Sequence, residues 1–507
     1  MKKFLGLVLL FLILNMPAFA ENYTRTSFLL NKLNICSINI RNFNAKDTNG
    51  NEIIDNDEVS GNFINAIERL DELKAQNINA IHLLPITPVG KLKALGTAGS
   101  LYAISDFSSI NPQMADKTSE LSPKEQAKLF IEECHKRGIS VIVDLPSCGS
   151  YDLFLNRPEL FLKDRRRLSI VPTDWTDVRL FNTGTDKKLN MDLFDEHKKF
   201  VDMLQEIGAD GIRADVAIIK PYKFWEELIE YAREKNPEFL FLAEASDSWR
   251  EPPSKYAEYT PYDKLLEAGF DGYYGSFFNF KDWKSSKEFF EHIKFNKKLL
   301  SSYKEKKSVI LSFATHDELS PVIVHGEDFS AMLCWLYGTL PFNPYFVDGF
   351  QLGDNYIYSW ANKKAESSQT DDDIYFVHRG KIDIFNFSAK PKLKSKYIND
   401  NFAEAMQFRQ DNLKLITKGE FSPLKTNDDK IFAYSISNKG EKIVVAGNMD
   451  YENYKKNVLI KIKGINNKTD LEIINGSNIY IKKRRNKLNM SLMPSEIKVL
   501  KIKEKAL

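Results

Sequence analysis

Short apolar runs alternate with amphipathic helical segments along most of this chain, and this rhythm constrains its fold most strongly. Residues 35–40 have the pattern of a strand, and apolar residues then recur at helical spacing over 63–73. Six further runs share the apolar, strand-like pattern: residues 80–84, 140–145, 211–216, 239–243, 308–313 and 341–347. Such alternation is typical of parallel βαβ units. A doubly wound open sheet is the alternative, but the number of units favours a closed (β/α)₈ barrel.

The pattern changes near Phe421. Alternating strands at 431–436, 442–446 and 458–462 are separated by Asn, Gly and Asp turns. We therefore expect a catalytic α/β barrel over residues 21–418 and an antiparallel β-sandwich domain over 419–507. A chain of 507 residues is too long for one compact core, which agrees with this division. The irregular stretch 148–188 predicts a short excursion from the barrel after its third strand.

The first twenty residues have the three parts of a secretory signal peptide. Lys2 and Lys3 make a positive start, residues 4–14 are apolar, and Ala18-Phe19-Ala20 is a small-x-small cleavage signal. We expect cleavage before Glu21 and a secreted or periplasmic protein. An uncleaved anchor is the alternative. No cysteine follows the apolar run, which argues against a lipoprotein, and no later segment is long and apolar enough to cross a membrane.

Charge and cysteine content exclude several classes of protein. The formal net charge is +2, and removal of Lys2 and Lys3 from the 71 basic residues leaves as many basic as acidic side chains, 69 of each. This balance predicts neither nucleic acid nor an anionic membrane as a partner. The four cysteines have no metal-ligand spacing and are interpreted as small buried apolar residues rather than disulfide partners: Cys36, Cys134, Cys148 and Cys334.

Charged residues stand at the ends of four predicted strands. The strands are numbered in chain order as in an eight-stranded barrel, and no apolar run is assigned to the sixth. The third ends VIVDLP, the fourth GIRADVA, the fifth FLFLAEA and the seventh SFATHDE, with Asp144, Arg213, Asp215, Glu244, His316 and Asp317 at these ends. Burial of an unpaired charge costs free energy, so a charged residue at the end of a buried strand is expected to have a partner or a function. A structural ion pair explains one such residue, but four strand ends favour an active site at the carboxyl edge of a barrel.

The order of these segments resembles that of the α-amylase family, glycoside hydrolase family 13. GIRADVA is similar to the family's Gly-x-Arg-x-Asp motif, and Glu244 and His316-Asp317 follow in the family order. IHLLPITP and YAISDFSSINP are also similar to it. The resemblance runs from about Ile35 into the C-terminal β domain. It implies a retaining hydrolase or transglycosylase that acts on α-linked glucans or oligosaccharides.

The resemblance also implies a role for each residue at the strand ends. Asp215 would attack the anomeric carbon, and Glu244 would protonate the leaving oxygen and then deprotonate water or an acceptor. Asp317 would bind sugar hydroxyls and stabilise the distorted ring. Arg213 would keep Asp215 ionised, and Asp144 would hold Arg213. This division agrees with a retaining mechanism, which needs one ionised carboxylate and one protonated carboxylic acid.

His316 and Tyr102 would bind the same sugar, through hydroxyl contacts and ring stacking respectively. Several sugar- and calcium-contacting positions of the family are replaced in this chain: Ala103, Cys148, Gly149 and Thr315 stand there. Because Gly149 has no side chain, we expect a small open space beside the sugar. A catalytically weak or inactive glucan-binding protein on the same barrel is therefore the alternative function.

An oxygen-rich segment follows the first strand, and its spacing suits a hard cation such as Ca²⁺. The candidate ligands are Asp47, Asn49, Asn51, the carbonyl of Ile53, and Asp55. The spacing also mimics an EF-hand loop, although Glu52 stands where that loop needs glycine. Several α-glucosidase-like members of the family carry a calcium loop at this place. A plain Asn/Asp-rich turn is the alternative.

Tryptophans and Val216 supply weaker signals. Trp225 and Trp335 lie in helical patterns and are interpreted as core residues. Trp175 and Trp249 lie in loops near the proposed site and are candidates for sugar stacking. Val216, directly after the expected nucleophile, is a feature of family members that attack α-1,6 links.

Overall fold

The computed structural model describes residues 23–94, 98–172, 176–252, 254–354, 387–466, 468–476 and 482–503. Eight parallel strands close into a barrel, in which the first strand pairs with both the second and the eighth. The strands are β1 (Ile35–Ile38), β2 (Ala80–Leu83), β3 (Ser140–Leu145), β4 (Gly211–Ala214), β5 (Leu240–Ala243), β6 (Gly272–Tyr274), β7 (Ser308–Ser312) and β8 (Asn343–Val347). The predicted (β/α)₈ barrel is confirmed, and the open sheet is excluded.

Strand β6 is the one barrel strand that the sequence patterns do not locate. It has three residues, two of them tyrosines, and it begins at Gly272. A Cβ on Gly272 would lie 2.5 Å from the ring of Phe28, so only glycine fits. Phe28 belongs to the helix Thr24–Leu29 and shares a buried cluster with interior residues of the strands. A distant contact therefore requires glycine at the start of this strand, whose three residues are too few to form a recognisable apolar run.

A helical layer surrounds the strands, and one main helix follows each of them. These helices are α1 (Phe63–Ala66 and Leu70–Ala75, joined by the 3₁₀ turn Ile67–Arg69), α2 (Pro123–Lys136), α3 (Met191–Ile207), α4 (Tyr222–Lys235), α5 (Tyr262–Glu267), α6 (Ser286–Leu300), α7 (Pro321–Thr339) and α8 (Lys396–Asp411). Helix α2 begins at a capping box between Ser122 and Glu125 with Pro123 in its first turn. Short helices occupy several loops: Ile40–Phe43, Pro112–Met114, Ala217–Ile219, Phe277–Asp282, Phe350–Leu352 and Leu413–Lys418.

A small excursion separates β3 from α3. Cys148–Ser150 pairs antiparallel with Val178–Leu180, and Gly184–Thr185 pairs with Lys188–Leu189. Between the first two of these strands lie the helix Tyr151–Asn156 and the 3₁₀ turn Pro158–Leu160. The excursion therefore begins directly after the carboxyl end of β3, where Asp144 lies.

The chain ends in an antiparallel domain of two packed sheets. Five strands form the first sheet, in the order Glu420–Pro423, Ile431–Asn438, Glu441–Asn448, Ile497–Lys503 and Asp470–Asn475. Three form the second, in the order Lys455–Lys461, Lys487–Leu492 and Lys482–Arg484. Apolar side chains of both sheets share one buried cluster. At the junction, the hydroxyls of Thr339 and Tyr434 lie 2.6 Å apart and tie the domain to α7.

The cysteine and core-tryptophan predictions are confirmed. All four cysteines are buried and free, and Trp225 and Trp335 are buried in the barrel layer. Across the described ranges, no helix combines the length and the apolar character that a membrane crossing requires.

Candidate active site

The acidic residues singled out in the sequence meet at the carboxyl edge of the barrel. Asp144 lies in β3 opposite Arg213 of β4 in the strand register. Asp215 follows β4, and Glu244 follows β5. Because parallel strands all end at one edge, residues far apart in the chain come into direct contact there.

One guanidinium joins three carboxylates. Arg213 Nη1 donates to both oxygens of Asp144 at 2.9 Å and lies 3.3 Å from Asp215 Oδ1, while its Nη2 lies 2.8 Å from Glu244 Oε1. The side chains of Arg213 and Asp144 are 1% and 0% exposed, whereas those of Asp215 and Glu244 are each 13% exposed. The pair beneath is therefore sealed, and the two carboxylates above it open towards solvent.

Asp215 is held by the end of β3. The backbone N–H of Ser147 donates to Asp215 Oδ2 at 3.0 Å, and the Ser147 hydroxyl donates to the same oxygen at 2.7 Å. In return, the Asp215 N–H donates to the carbonyl of Leu145 at 3.0 Å. The carboxylate is thus fixed by neighbours from two strands.

Glu244 is held by a strained residue. The Val216 N–H donates to Glu244 Oε2 at 2.6 Å, and Val216 has φ 34° and ψ 54°, in the left-handed region. This conformation costs a β-branched residue about 1–3 kcal/mol and persists where the surroundings impose it. The strain directs a backbone donor at the carboxylate that follows the next strand.

The electrostatic environment shifts the pKa values of the three buried carboxyl groups in different directions. Burial, and then the negative charges of Asp215 and Asp317, raise the pKa of Glu244 well above its ordinary value. Burial also raises the pKa of Asp215, and Arg213 opposes that shift. For Asp144, the charge of Arg213 and a contact with His82 outweigh burial and lower the pKa to about 2. Glu244 therefore retains a proton at a higher pH than a free glutamate, while Asp144 stays ionised.

Tyr102 and His316 lie together beside this cluster. The Tyr102 hydroxyl donates to Asp144 Oδ2 at 2.8 Å and lies 2.8 Å from His316 Nε2, and the two rings are within 5° of parallel. His316 Nε2 is also 3.5 Å from Asp317 Oδ2. Burial lowers the pKa of the neighbouring His82 to about 4, so its ring is neutral near pH 7. Asp317 is 32% exposed and is the most accessible of these acids.

A cleft opens above the cluster. Its lining residues are Glu244, Ala245, Ser246, Trp249, Tyr274, Phe278, Thr315, Asp317 and Glu318. Trp249 is half-buried and borders the same space as Glu244. Trp175, the other candidate for stacking, lies outside the described residues. An aromatic wall beside three acids, Glu244, Asp317 and Glu318, suits a sugar ring flanked by hydroxyl-binding groups.

The expected open space at Gly149 is absent, and that prediction is wrong. A Cβ at Gly149 would lie 2.7 Å from Phe161 Cζ and 2.8 Å from Phe181 Cε1. Gly149 pairs with Arg179 across the two-stranded sheet of the excursion, which brings these rings against its backbone. Phenylalanines, rather than water or a substrate group, therefore occupy the side-chain position of Gly149.

The segment of the candidate calcium ligands forms a compact loop. The amides of Asn49 and Asn51 both donate to Asp55 Oδ2, at 2.8 and 3.0 Å. Asp47 accepts from the Gly50 and Glu52 N–H groups, and Lys392 Nζ lies 2.8 Å from its Oδ2.

Ile53 pairs with Ser388 in a single β-bridge. Within the described ranges no three His, Cys, Asp or Glu side chains are grouped to hold a metal, so a cation at this loop would depend on amide and carbonyl oxygens as well.

Three contributors to the site are not indicated by the sequence patterns: Ser147, the Val216 N–H and Tyr274. Ser147 looks like an ordinary loop residue, and only its position after the end of β3 could draw attention to it. The Val216 N–H is a backbone group, which residue identity cannot reveal. Tyr274, in the unlocated strand β6, places its ring 5.7 Å from the Arg213 guanidinium carbon.

No family model matches the chain, but individual proteins do. It is 26% identical over 414 residues to an α-1,4-glucan:maltose-1-phosphate maltosyltransferase of Picrophilus torridus, covering 78% of this chain and 59% of that protein. It is 24% identical over 440 residues to α-amylase 3 of Dictyoglomus thermophilum, covering 78% and 82%. The chain thus spans less than two thirds of the maltosyltransferase. A crystal structure of an α-amylase from Lactobacillus plantarum superposes with a TM-score of 0.69 at 19% identity, covering 94% of this chain and 99% of that one.

Proposed function

We propose that the chain is a member of the α-amylase family and a retaining glycoside hydrolase or transglycosylase that acts on α-linked glucans or oligosaccharides. The observation that carries this proposal is the contact of one buried guanidinium with both Asp215 and Glu244 at the carboxyl edge of the barrel. Both carboxyl groups lie beside Arg213. Asp215 is also held by two donors of Ser147, while the pKa of Glu244 is raised well above its ordinary value, and a retaining mechanism requires such a pair of nucleophile and acid.

The proposed reaction has two steps. A carboxylate oxygen of Asp215 forms a bond to the anomeric carbon while the bond to the leaving oxygen breaks, and that oxygen takes the proton of Glu244. Glu244, now ionised, then removes a proton from water or from a sugar hydroxyl, which attacks the same carbon and releases Asp215. Asp317 and His316 bind hydroxyls of the reacting sugar, and Tyr102 lies against it.

The acceptor decides between hydrolysis and transfer. Relatives named as an amylase and as a maltosyltransferase represent the two outcomes. The test is incubation with a panel of α-1,4- and α-1,6-linked glucans and maltooligosaccharides. Free reducing sugar indicates hydrolysis, and longer oligosaccharides indicate transfer. Proton NMR of fresh product should show the α anomer first, and the β anomer first would contradict a retaining mechanism.

A catalytically weak glucan-binding protein is the second candidate. It is favoured by the apolar replacements at Ala103 and Cys148, both buried, and by Gly149, whose side-chain position is filled by phenylalanine. Glucan binding measured by calorimetry, without product from any substrate of the panel, would support this candidate and contradict the first.

We also propose export and a structural calcium ion. Residues 1–22 lie outside the described residues, so export depends on the signal-peptide pattern, and N-terminal sequencing of exported protein should begin at Glu21. Calcium is supported by the oxygen-rich composition of the loop; the contacts of Asn49 and Asn51 with Asp55 are made by their amide nitrogens, so their oxygens would have to turn towards the ion. The donor set fits a hard cation, although an ion at Asp47 would compete with Lys392.

A further inference from the structure

Ser147 supplies the shortest hydrogen bond to the expected nucleophile, Asp215. It follows β3 through Pro146 and precedes the first strand of the excursion, and it is 2% exposed. Both of its donors, the backbone N–H at 3.0 Å and the hydroxyl at 2.7 Å, bond one oxygen, Asp215 Oδ2. The other oxygen, Oδ1, has the longer contact of 3.3 Å with Arg213 and no other hydrogen bond from the residues that the structure describes.

This asymmetry distinguishes the two oxygens of Asp215. Two donors on Oδ2 fix the carboxylate's orientation and stabilise its charged form. Oδ1 is left with the weaker contact and is the freer oxygen for attack. We propose that Ser147 is a positioning residue that holds Asp215 through Oδ2 and so presents Oδ1 to the anomeric carbon; this inference rests on the function proposed above. In the step it serves, the new bond joins Oδ1 to carbon while the leaving group departs with the bonding electron pair.

A buried cation supports Ser147 from behind. Lys220 is fully buried, its Nζ lies 3.5 Å from the Ser147 carbonyl oxygen, and it lies 5.5 Å from the centre of the Trp225 ring. Burial lowers the pKa of Lys220 to about 8. The serine is therefore placed between a buried ammonium and the carboxylate, with little freedom to move. Other titratable groups also act on Asp215, and they are Arg213, Asp144, Glu244, Tyr102, Cys148 and Lys220.

The kinetic test uses α-glucosyl fluoride, whose leaving group needs no proton from Glu244. Ser147→Ala removes the hydroxyl donor, and Ser147→Cys replaces it with a weak donor of similar size. Both should lower kcat/KM about ten- to hundredfold, because a hydrogen bond to a charged group is lost. The loss should fall on kcat rather than KM, and the acid limb of the pH profile should move to higher pH, because Asp215 would ionise less readily. Ser147→Thr retains a hydroxyl donor and should keep kcat/KM near the wild-type value.

Cys334→Ala is the matched packing control, since it removes one buried heteroatom from helix α7, outside the Asp215 site. It should leave the pH profile in place. An unchanged profile in Ser147→Ala, or an equal shift in Cys334→Ala, would overturn the proposal.

A second measurement does not depend on activity. The carboxyl pKa of Asp215 can be followed by carbon-13 NMR, with Asp215→Asn to identify its signal. It should rise by about one unit or more in Ser147→Ala, since each unit corresponds to about tenfold. An unmoved pKa would overturn the positioning role even in an active enzyme. A raised pKa in a protein that turns over no α-glucoside would support the role of Ser147 and contradict the proposed function.

Discussion

Two acidic regions of this protein use similar side chains to opposite effect. One is the strand-end cluster, in which Asp144, Asp215 and Glu244 surround Arg213, and the other is the Asp47–Asp55 loop. The cluster draws its members from three strands and buries them around Arg213. The loop draws its members from one short segment, and most of its hydrogen bonds are exposed.

Their titration differs accordingly. Burial raises the pKa of Glu244 and Asp215. In the loop, a hydrogen bond from Lys392 lowers the pKa of Asp47, and one from Thr48 lowers that of Glu58. An exposed carboxylate that accepts hydrogen bonds is stabilised in its charged form and suits a cation. A carboxyl desolvated by distant neighbours can retain a proton and suits acid catalysis.

The largest expected effect follows from removal of a catalytic carboxylate. Asp215→Asn and Glu244→Gln should each lower turnover by at least about 10²–10⁴, the usual contribution of a general acid or base, while the fold persists. Steady-state kinetics and circular dichroism measure the two properties. Asp202→Asn, at an exposed carboxylate of α3 paired with Lys235, is the control and should keep wild-type activity. Wild-type rates in both cluster variants on all substrates would contradict the assignment.

The next effect concerns stability. Asp144→Asn removes the buried partner of Arg213, and loss of one member of a buried ion pair costs about 3–5 kcal/mol. We expect about 3 kcal/mol, the lower end of that range, because Arg213 keeps its contacts with Asp215 and Glu244. Urea denaturation measures the free energy of unfolding. The exposed variant Asp202→Asn should change it by less than about 1 kcal/mol.

The Asp144 carboxyl also makes the free energy of unfolding depend on pH. Its folded pKa of about 2 lies below the unfolded value of about 3.9, so its stabilisation is present above pH 4 and is lost as the pH falls towards 2. Asp144→Asn should therefore show a shallower loss of stability over this interval than the wild type. Parallel curves would show that Asp144 is not the buried ionised group of the cluster.

A smaller effect is expected at Gly149. Gly149→His must displace Phe161 and Phe181, and overpacking of a buried site costs about 1–3 kcal/mol. The histidine should therefore destabilise the excursion instead of restoring a sugar contact. In a double-mutant cycle with Phe161→Ala, the combined loss should be smaller than the sum of the single losses. Simple additivity, with an ordered histidine in the cleft, would contradict the packing described here.

The smallest effect should belong to the loop. A ligand at ten times its Kd stabilises a protein that binds it only when folded by about 1.4 kcal/mol. Calcium should raise the Tm of the wild type, chelation should lower it, and Asp55→Ala should abolish the response. Lys392→Ala is the matched variant and should keep or strengthen it, because Lys392 competes for Asp47. If chelation changes no Tm and no metal co-purifies, the loop is only a turn.

The sequence by itself determined the fold class and the order of the charged strand ends. Buried parallel strands appear as continuous apolar runs, and a charge that ends such a run is conspicuous because its burial is costly. Asp144, Arg213, Asp215 and Glu244 could therefore be found from their positions alone. The β6 strand could not, because three residues are too few to form a recognisable apolar run and because the contact of Phe28 with Gly272 joins segments distant in the chain.

Only the tertiary structure decided how these groups are held. The Ser147 donors, the left-handed Val216 and the rings packed on Gly149 all involve partners distant in the chain or groups of the backbone. Local patterns record which side chains a segment carries and how often they recur. They do not record which backbone N–H meets which carboxylate, because that depends on how strands from different parts of the chain pack at one edge of the barrel.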